Sequence, residues 1–376
     1  MADLYLGYDL AYWPDLSPVY GRSRRKRIDV QTTNLDSNLT DFPLLVMLDG
    51  DTDIGAMCLS NGYDVIFTAS DGTTLLPFER VSFSVTGGAA TAEFWVKTSL
   101  STAGTYIYIN YGYDAATDLS DAEDTWDSNF KAVYHMKDLT TSTIEDSTAN
   151  GNDGTKTAAN EPIEAAGKIG QGQDFDGTDD YIDLGSGESL GLSTNDFTLE
   201  SWVYLHALPA GWATIFGGQN GAASFGVLGV LGALQLTKTN IIDGPGSSGV
   251  VSANSWNHIA VVFDSTAITD NVLFLINGAP EAAKTFNVDF TGLNKVLGEY
   301  SIFGGGFLDG LIDEARISSI ARSAAWIKFE YYNMNEADGG LTWGSIENRA
   351  SLQLTGIIRD IKLDGATATY RCELVP

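Results

Sequence analysis

Two stretches of sequence decide the fold: GKIGQGQDFDGTDDYIDLG, from Gly167 to Gly185, and FLDGLIDEARIS, from Phe307 to Ser318. Each contains an Asp-Gly pair, Asp176-Gly177 and Asp309-Gly310, followed by apolar residues interleaved with acidic side chains. Asp-Gly is a turn signal, and short apolar runs bounded by such turns are typical of β-strands. We therefore predict that both stretches form strands of one domain.

Three more strand patterns lie between these stretches: DFTLESWVYL (Asp196 to Leu205), WNHIAVVFD (Trp256 to Asp264) and VLFLINGAP (Val272 to Pro280). Taken in this order, the five motifs resemble the laminin-G-like branch of the concanavalin A-type lectin/glucanase superfamily. The resemblance covers residues 130–333. It implies a two-sheet jelly roll, and it implies a binding module, most often calcium-dependent, more readily than an enzyme.

The preceding segment, residues 22–113, shows short alternating strands separated by Gly, Asp and Asn turns, among them RIDVQT, PLLVML, FERVSFSV and TAEFWVKT. Alternation with period two predicts half-buried strands, and several short ones predict a small β-sandwich. The segment also resembles an uncharacterised β-module often found before laminin-G-like domains, which implies no known chemistry. The predicted fold class is therefore all-β.

Three other segments complete the predicted organisation. Residues 1–21 are an N-terminal arm rich in Tyr, Asp and Pro, and residues 114–129 are an acidic linker. Residues 334–376 are a C-terminal β-extension, in which two strand patterns flank Asp364-Gly365 as in a hairpin. A hairpin of this size is too small to fold alone, so we expect it to pack on another domain or on a second subunit.

One helix is predicted, in RSAAWIKFEYYN from Arg322 to Asn333. Ser323 is a suitable N-cap, because its side chain can accept a hydrogen bond from the first turn. Trp326, Phe329 and Tyr331 supply the bulk of one face. We expect this helix to pack against the jelly roll.

The charge of the chain excludes some partners. The formal net charge is -28, from 49 acidic and 21 basic residues, and such a surface repels nucleic acid and anionic membranes. The one basic cluster, RSRRKR at Arg22 to Arg27, leads into an alternating pattern and is interpreted as an edge strand with a basic face. No apolar run reaches the ~18 residues that span a bilayer, and no secretory signal is visible.

A candidate metal site lies in DSTANGNDG, from Asp146 to Gly154. Calcium takes six to eight oxygen ligands from carboxylates, amides and backbone carbonyls. The laminin-G-like resemblance places this loop against the strand that carries Asp313, and it implies a calcium ion held by Asp146, Asn150, Asn152 and Asp313. The alternative is that these residues only form turns, while Asp313 or Glu314 pairs with Arg316 or Arg322.

For glycan binding, aromatic rings stack on sugar faces while polar groups bond the hydroxyls. Trp212 and Tyr300 lie in predicted loops and are the candidate ligand-binding residues, with a satellite hydrophobic cluster as the alternative. Catalytic relatives carry a strand with Glu-x-Asp-x-x-Glu, and this run does not occur in the chain. Cys58 and Cys372 are predicted to be free, and none of the histidines shows ligand spacing: His135, His206 and His258.

These observations favour a non-catalytic structural and binding protein on a virion surface, such as a tail adhesin or a capsid decoration, whose jelly roll binds glycans with calcium. Homo-oligomers formed through the arm or the C-terminal extension would give a weak site avidity. Two alternatives remain open: a secreted polysaccharide-degrading enzyme or its carbohydrate-binding accessory, and a purely architectural assembly protein.

Overall fold

The computed structural model describes residues 21–185, 190, 196–218, 222–229, 231–288, 290, 294–300, 306–335, 340–348, 356–364 and 367–374. These residues form antiparallel sheets and three helices, so the predicted all-β class is confirmed. The predicted N-terminal arm, apart from Gly21, lies outside the described residues. Within the described ranges, every helix is too short or too polar to cross a bilayer.

The N-terminal module is a sandwich of two small sheets. Its elements are β1 (Arg24–Val30), β2 (Leu39–Asp51), α1 (Thr52–Met57), β3 (Ile66–Thr68), β4 (Phe78–Thr86), β5 (Ala89–Leu100), β6 (Thr105–Tyr111) and α2 (Ala122–Thr125). One sheet has the order β2-β5-β4. The other contains β1, β6 and β3, and the inward side chains of both sheets form one hydrophobic core.

The C-terminal extension completes this sandwich. Its first strand, β24 (Leu341–Asn348), pairs antiparallel with β1, so the basic strand is interior to its sheet and the prediction of an edge was wrong. The arginine and lysine side chains of β1 instead pair with neighbouring acids, for example Lys26 with Asp51 at 2.6 Å. The rest of the extension, β25 (Gly356–Asp364) and β26 (Thr367–Leu374), forms the predicted hairpin.

The second module is a jelly roll of two large sheets. Its strands are β7 (Phe130–Tyr134), β8 (Asp138–Thr140), β9 (Thr143–Ile144), β10 (Gly154–Thr155), β11 (Ile163–Ala166), β12 (Gln171–Asp176), β13 (Ile182–Asp183), β14 (Phe197–Leu205), β15 (Trp212–Gly218), β16 (Ala223–Leu228), β17 (Ala233–Lys238), β18 (Ile242–Val250), β19 (Trp256–Phe263), β20 (Val272–Ile276), β21 (Ala279–Pro280), β22 (Asn294–Leu297) and β23 (Asp309–Ser318). One sheet has the order β18-β17-β16-β15-β22-β13-β10-β9-β8. The other has the order β11-β12-β23-β14-β19-β20-β21, with β7 also paired to β23.

Both faces of this second sheet are buried over much of its area. The inner face packs on the other jelly-roll sheet. On the outer face, Trp202 and Val262 join the same core cluster as Phe42 and Phe94 of the N-terminal module. The two modules therefore share a core. The predicted linker also contributes to it, because Trp126 is buried.

The predicted helix is present as α3 (Ala324–Asn335), and it joins the modules. The backbone N–H of Trp326 donates to the Ser323 hydroxyl at 3.2 Å, so Ser323 is the N-cap. Trp326 and Phe329 both pack edge-on against Phe42, with ring centroids at 4.9 and 5.3 Å. The helix is thus held mainly by its aromatic face, and its cap adds a local contribution.

Replacing Ser323 should have a small effect on stability. Ser323→Ala should lower the free energy of unfolding by about 1 kcal/mol, because the Trp326 N–H loses its side-chain acceptor and keeps only the Ser323 carbonyl. Urea unfolding of the variant measures this loss. Ser323→Asn retains an acceptor and should stay close to the wild type. An equal loss for both variants would show that the hydroxyl does not act as a cap.

Candidate functional site

A pocket of about 290 Å³ opens at one end of the jelly roll, and we call it the Trp212 pocket. The loop between β14 and β15 forms one wall, and the start of β23 forms the other. Its lining residues are Leu205, Ala207, Leu208, Pro209, Ala210, Gly211, Trp212, Ala213, Phe307 and Asp309. The lining side chains are therefore mainly apolar or aromatic, with one carboxylate, and loop backbone supplies further polar groups.

The rings of this pocket are only partly covered. Trp212 and Phe307 are both half-buried, in contrast to the core tryptophans. The indole N–H of Trp212 donates to the Thr214 hydroxyl at 2.7 Å, which fixes the orientation of the ring. Trp212 is the first residue of β15, whereas the sequence placed it in a loop. A fixed, half-exposed ring at the mouth of a pocket can pack against a ligand.

The structure brings the two predicted ligand-binding residues together. The rings of Trp212 and Tyr300 meet edge-on, with centroids at 6.0 Å. The Tyr300 hydroxyl accepts a hydrogen bond from the backbone N–H of Asn240 at 3.1 Å, so its polar end is anchored to the loop after β17. Tyr300 supports the Trp212 ring from outside the lining of the pocket.

Two polar residues of the site were not predicted, His206 and Asp309. The Nδ1 atom of His206 lies 2.8 Å from a carboxylate oxygen of Asp309, and its Nε2 atom lies 3.5 Å from Asp174. All three side chains are partly exposed. The sequence did contain a signal, because Asp309 belongs to one of the two Asp-Gly pairs. His206 follows β14 directly, and only the fold shows that it reaches β12 and β23.

Carboxylates are concentrated beside the pocket. Asp176 on β12 lies opposite Asp309 on β23, and three further aspartates lie on β12 or in the turn that follows it. We call this set the acidic rim: Asp174, Asp176, Asp179, Asp180 and Asp309. In the described part of the chain, the ion pairs found for the rim all involve His206.

The rim carboxylates influence one another. Partial burial raises the pKa of Asp174, and the neighbouring charge of Asp309 adds to this effect. Partial burial also raises the pKa of Asp180, with Asp176 and Asp179 acting in the same direction. The turn is ordered locally, since Asp180 accepts a hydrogen bond from the backbone N–H of Asp176 at 2.9 Å. The rim is therefore a region of strong negative potential.

The predicted metal loop is held by its own hydrogen bonds. The Asp146 carboxylate accepts four of them, from the backbone N–H groups of Val133, Thr148 and Asn152 and from the Thr148 hydroxyl. The side-chain amides of Asn150 and Asn152 donate to two backbone carbonyls of β7, those of Phe130 and Lys131, at 3.0 and 2.7 Å. These contacts are those expected of the turn alternative.

The fourth predicted ligand lies in a different environment. Asp313 is fully buried, and its carboxylate accepts from the backbone N–H groups of Ile169 and Glu314, both at 2.7 Å. Burial, with the charge of Glu314 acting in the same direction, raises its pKa well above the usual value. Among the described residues no hydrogen bond or ion pair joins Asp313 to the Asp146 loop. The cation site shared by these four residues and its calcium dependence both stay predictions.

Glu314, the neighbour of Asp313, belongs to a buried charge network between the modules. Arg316 contacts Glu314 and Glu330, each at 2.7 Å, which matches one of the pairings left open by the sequence. His135 lies 2.6 Å from Glu314 and 3.2 Å from Glu79. We define the charge network as Glu79, Glu93, His135, Glu314, Arg316 and Glu330.

The charge network spans both modules and is closed to solvent. Glu79 and Glu93 lie on β4 and β5, Glu314 and Arg316 on β23, and Glu330 on α3, and all are buried. Glu93, His135 and Glu314 offer ligand atoms within 4.8 Å of one another, a spacing that would also suit a metal ion. His135 and Glu314 already pair with each other, and Glu93 accepts a hydrogen bond from the indole N–H of Trp95 at 3.1 Å, so we interpret the network as a structural clamp.

Two regions of the chain match family models. Residues 176–328 match the model described as the concanavalin A-like lectin/glucanases superfamily. Residues 61–152 match a domain of unknown function, DUF2341. The predicted recognition of both modules is confirmed. The second match runs past the predicted linker into the first strands of the jelly roll, in line with the shared core. No curated protein matches the chain.

Several solved structures are similar to parts of this chain at low identity. Domain 4 of the extracellular arabinanase AbnA from Geobacillus stearothermophilus, in complex with arabinotriose, is 23% identical, with a TM-score of 0.43 over 53% of this chain and 97% of that one. The binding domain of Paraclostridial mosquitocidal protein 1 is 16% identical, with a TM-score of 0.41, over 54% and 52%. Trypanosoma rangeli sialidase with sialic acid is 10% identical, with a TM-score of 0.43, over 70% and 46%.

Proposed function

We propose that this protein is a non-catalytic glycan-binding protein, and that the Trp212 pocket is its binding site. The observation that carries the proposal is the half-buried Trp212 ring at the mouth of a pocket beside Asp309. Sugar sites need an apolar ring for the face of the sugar and polar groups for its hydroxyls. The matched superfamily description, which names lectins and glucanases, supports the same class of ligand.

The polar groups around the ring suit hydroxyl donors. Ionised carboxylates accept hydrogen bonds and donate none. Asp309 lines the pocket. His206 contacts both Asp309 and Asp174, and so it links Asp174 to the edge of the pocket. Two further aromatic rings, Tyr204 and Trp256, lie next to His206. The Tyr204 ring contacts both His206 and Trp256, with ring centroids at 6.0 and 5.7 Å. A glycan longer than one sugar would find further apolar surface there.

The non-catalytic part of the proposal has its own test. The chain lacks the Glu-x-Asp-x-x-Glu strand of the glucanases, and Asp313-Glu314 are enclosed in the core. We expect no release of reducing sugar from any glycan that binds. The proposed location on a virion surface is tested separately, by mass spectrometry of purified particles. Detection of the chain in the particles would support it, and its consistent absence would refute it.

Removing the Trp212 ring tests the binding site. Trp212→Ala should weaken glycan binding about thirtyfold, the loss expected when an aromatic anchor worth about 2 kcal/mol is removed. The measurement is a glycan array followed by titration of the best-bound glycan, for the wild type and the variant. Trp212→Phe keeps a ring and should recover part of the affinity.

A matched control lies in the other module. Trp343 on β24 is also half-buried, and Trp343→Ala should leave binding unchanged. Equal loss in both variants would point to general destabilisation, and no loss in Trp212→Ala would contradict the assignment of the site. The array is run with calcium and with a chelator. If binding survives chelation, the site stands and the calcium prediction fails.

A further inference from the structure

We infer that the Trp212 pocket selects glycans by charge: it takes neutral or amine-bearing sugars and excludes those with carboxylate or sulfate groups. This inference rests on the proposed function and adds the chemical class of the ligand. It follows from the acidic rim, which shares Asp309 with the pocket. The selectivity depends on the position of the rim more than on the total charge of the chain.

The rim is contiguous with the pocket through backbone pairing. Asp309 both lines the pocket and lies opposite Asp176 in the β12–β23 pair. Asp174 lies two residues earlier on β12, on the same face, and reaches the pocket edge through His206. A sugar stacked on Trp212 would therefore have its polar groups within a few ångströms of Asp309, and a second sugar would extend over the rest of the rim.

Positive charge to offset the rim is scarce. None of the residues that line the pocket is Lys or Arg. His206 is the one ion-pair partner found for the rim in the described ranges, and both of its ring nitrogens already face carboxylates. An anionic sugar would bring its charge toward Asp309 and Asp174 without meeting a Lys or Arg side chain among the lining residues. An ammonium group would instead gain attraction and hydrogen-bond acceptors.

The expected size of the effect follows from elementary electrostatics. Two unit charges about 7 Å apart at a wet surface change a dissociation constant by roughly fivefold, and several rim carboxylates act together. A change of one charge on the glycan should therefore alter the dissociation constant by about tenfold or more at low salt. Screening should shrink this preference as the Debye length falls from ~20 Å to below 8 Å.

The hydrogen-bonding inventory leads to the same class of ligand. Ionised carboxylates offer acceptors only, whereas sugar hydroxyls and ammonium groups offer donors. A carboxylate or sulfate on a sugar offers acceptors only, and in contact with the rim it would lose water without gaining a partner. Charge and hydrogen bonding therefore exclude the same glycans.

The test is a glycan array that contains neutral, amine-bearing and acidic oligosaccharides, probed with the full chain at about 0.02 and 0.3 M salt. The probes include an N-acetylated chitooligosaccharide beside its de-N-acetylated form, and a galactose oligosaccharide beside its galacturonic acid counterpart. We expect the bound glycans to be neutral or amine-bearing, with the amine-bearing ones favoured at low salt. We expect acidic members to bind at least about tenfold more weakly than their neutral counterparts.

Rim variants tie the selectivity to these residues. Asp176→Asn with Asp309→Asn keeps the side-chain shapes and should reduce the preference against acidic glycans by about tenfold. Asp49→Asn removes one charge from an exposed position in the N-terminal module and should change nothing. Tightest binding of an acidic glycan, lost in Trp212→Ala, would overturn the inference while the proposed function stands. Binding of no glycan at all would overturn both.

Discussion

Arg316→Met is expected to lower the free energy of unfolding by about 3–5 kcal/mol, the largest stability effect of any substitution considered. The guanidinium is buried and is the main fixed positive charge of the network. Its removal leaves Glu330 without its cation and Glu314 with His135 alone, in a site closed to water. The side chain also packs over the rings of Trp95 and Trp126, at 4.4 and 5.1 Å. Urea unfolding followed by tryptophan fluorescence measures the loss.

Two comparisons separate the buried ion pairs from the general cost of losing an arginine. Arg27→Met removes a partly exposed arginine that pairs with Asp29, and it should cost less than about 1 kcal/mol. Adding Glu314→Gln and Glu330→Gln to Arg316→Met should recover part of the stability, because the uncompensated charges are removed as well. A loss in Arg316→Met no larger than that in Arg27→Met would contradict the clamp.

Stability should fall as pH rises from about 5 to 9, opposite to ordinary acid denaturation. Burial, with Glu314 and Glu79 acting in the same direction, raises the pKa of Glu93 to about 7. Burial opposes the charge on His135, but Glu314 and Glu79 outweigh it and raise its pKa well above the usual value. Both groups therefore keep a proton in the folded state at a pH where the unfolded chain has released it.

The sign of the effect follows from these directions. The Glu93 contribution is complete below the unfolded pKa of about 4.5 and is lost as pH rises through about 7, a difference of about 3 kcal/mol. The His135 contribution begins to fall above about pH 6.5 and continues toward its raised folded pKa. Glu314 acts oppositely, since His135 and Arg316 overcome burial and lower its pKa, so its contribution is lost in acid.

The measurement is the urea midpoint at a series of pH values. We expect the maximum between about pH 4.5 and 6 and a decline above it. Glu93→Gln mimics the neutral acid and should flatten the decline between about pH 4.5 and 7. Glu347→Gln, on exposed β24, should leave the profile unchanged. A stability that increases steadily from pH 5 to 8 would contradict the protonated network.

Local sequence signals predicted the elements well. Period-two alternation identified most strands of the N-terminal module, the motif series identified β12, β14, β19, β20 and β23 of the jelly roll, and Ser323 identified the start of α3 within one residue. These signals depend on residues close together in the chain, so they can be recognised without knowledge of the fold. The Asp-Gly pairs likewise marked β12 and β23, and Asp309 later proved to line the pocket.

Features that depend on distant residues were not predictable. The pairing of β1 with β24 joins the first strand of the chain to one of its last, and no local pattern in LTWGSIEN names its partner. The charge network draws on β4, β5, β23 and α3, and a single buried glutamate has no sequence signature. His206 shows no ligand spacing, because its partners Asp174 and Asp309 lie on two other strands.

The most direct test of the account is titration of the best-bound array glycan into the full chain and into Trp212→Ala, with Trp343→Ala as the control. We predict saturable binding by the wild type and by the control, and binding about thirtyfold weaker in Trp212→Ala with the fold intact. Binding that is unchanged by the loss of the Trp212 ring, or absent from the wild type, would contradict the proposed site.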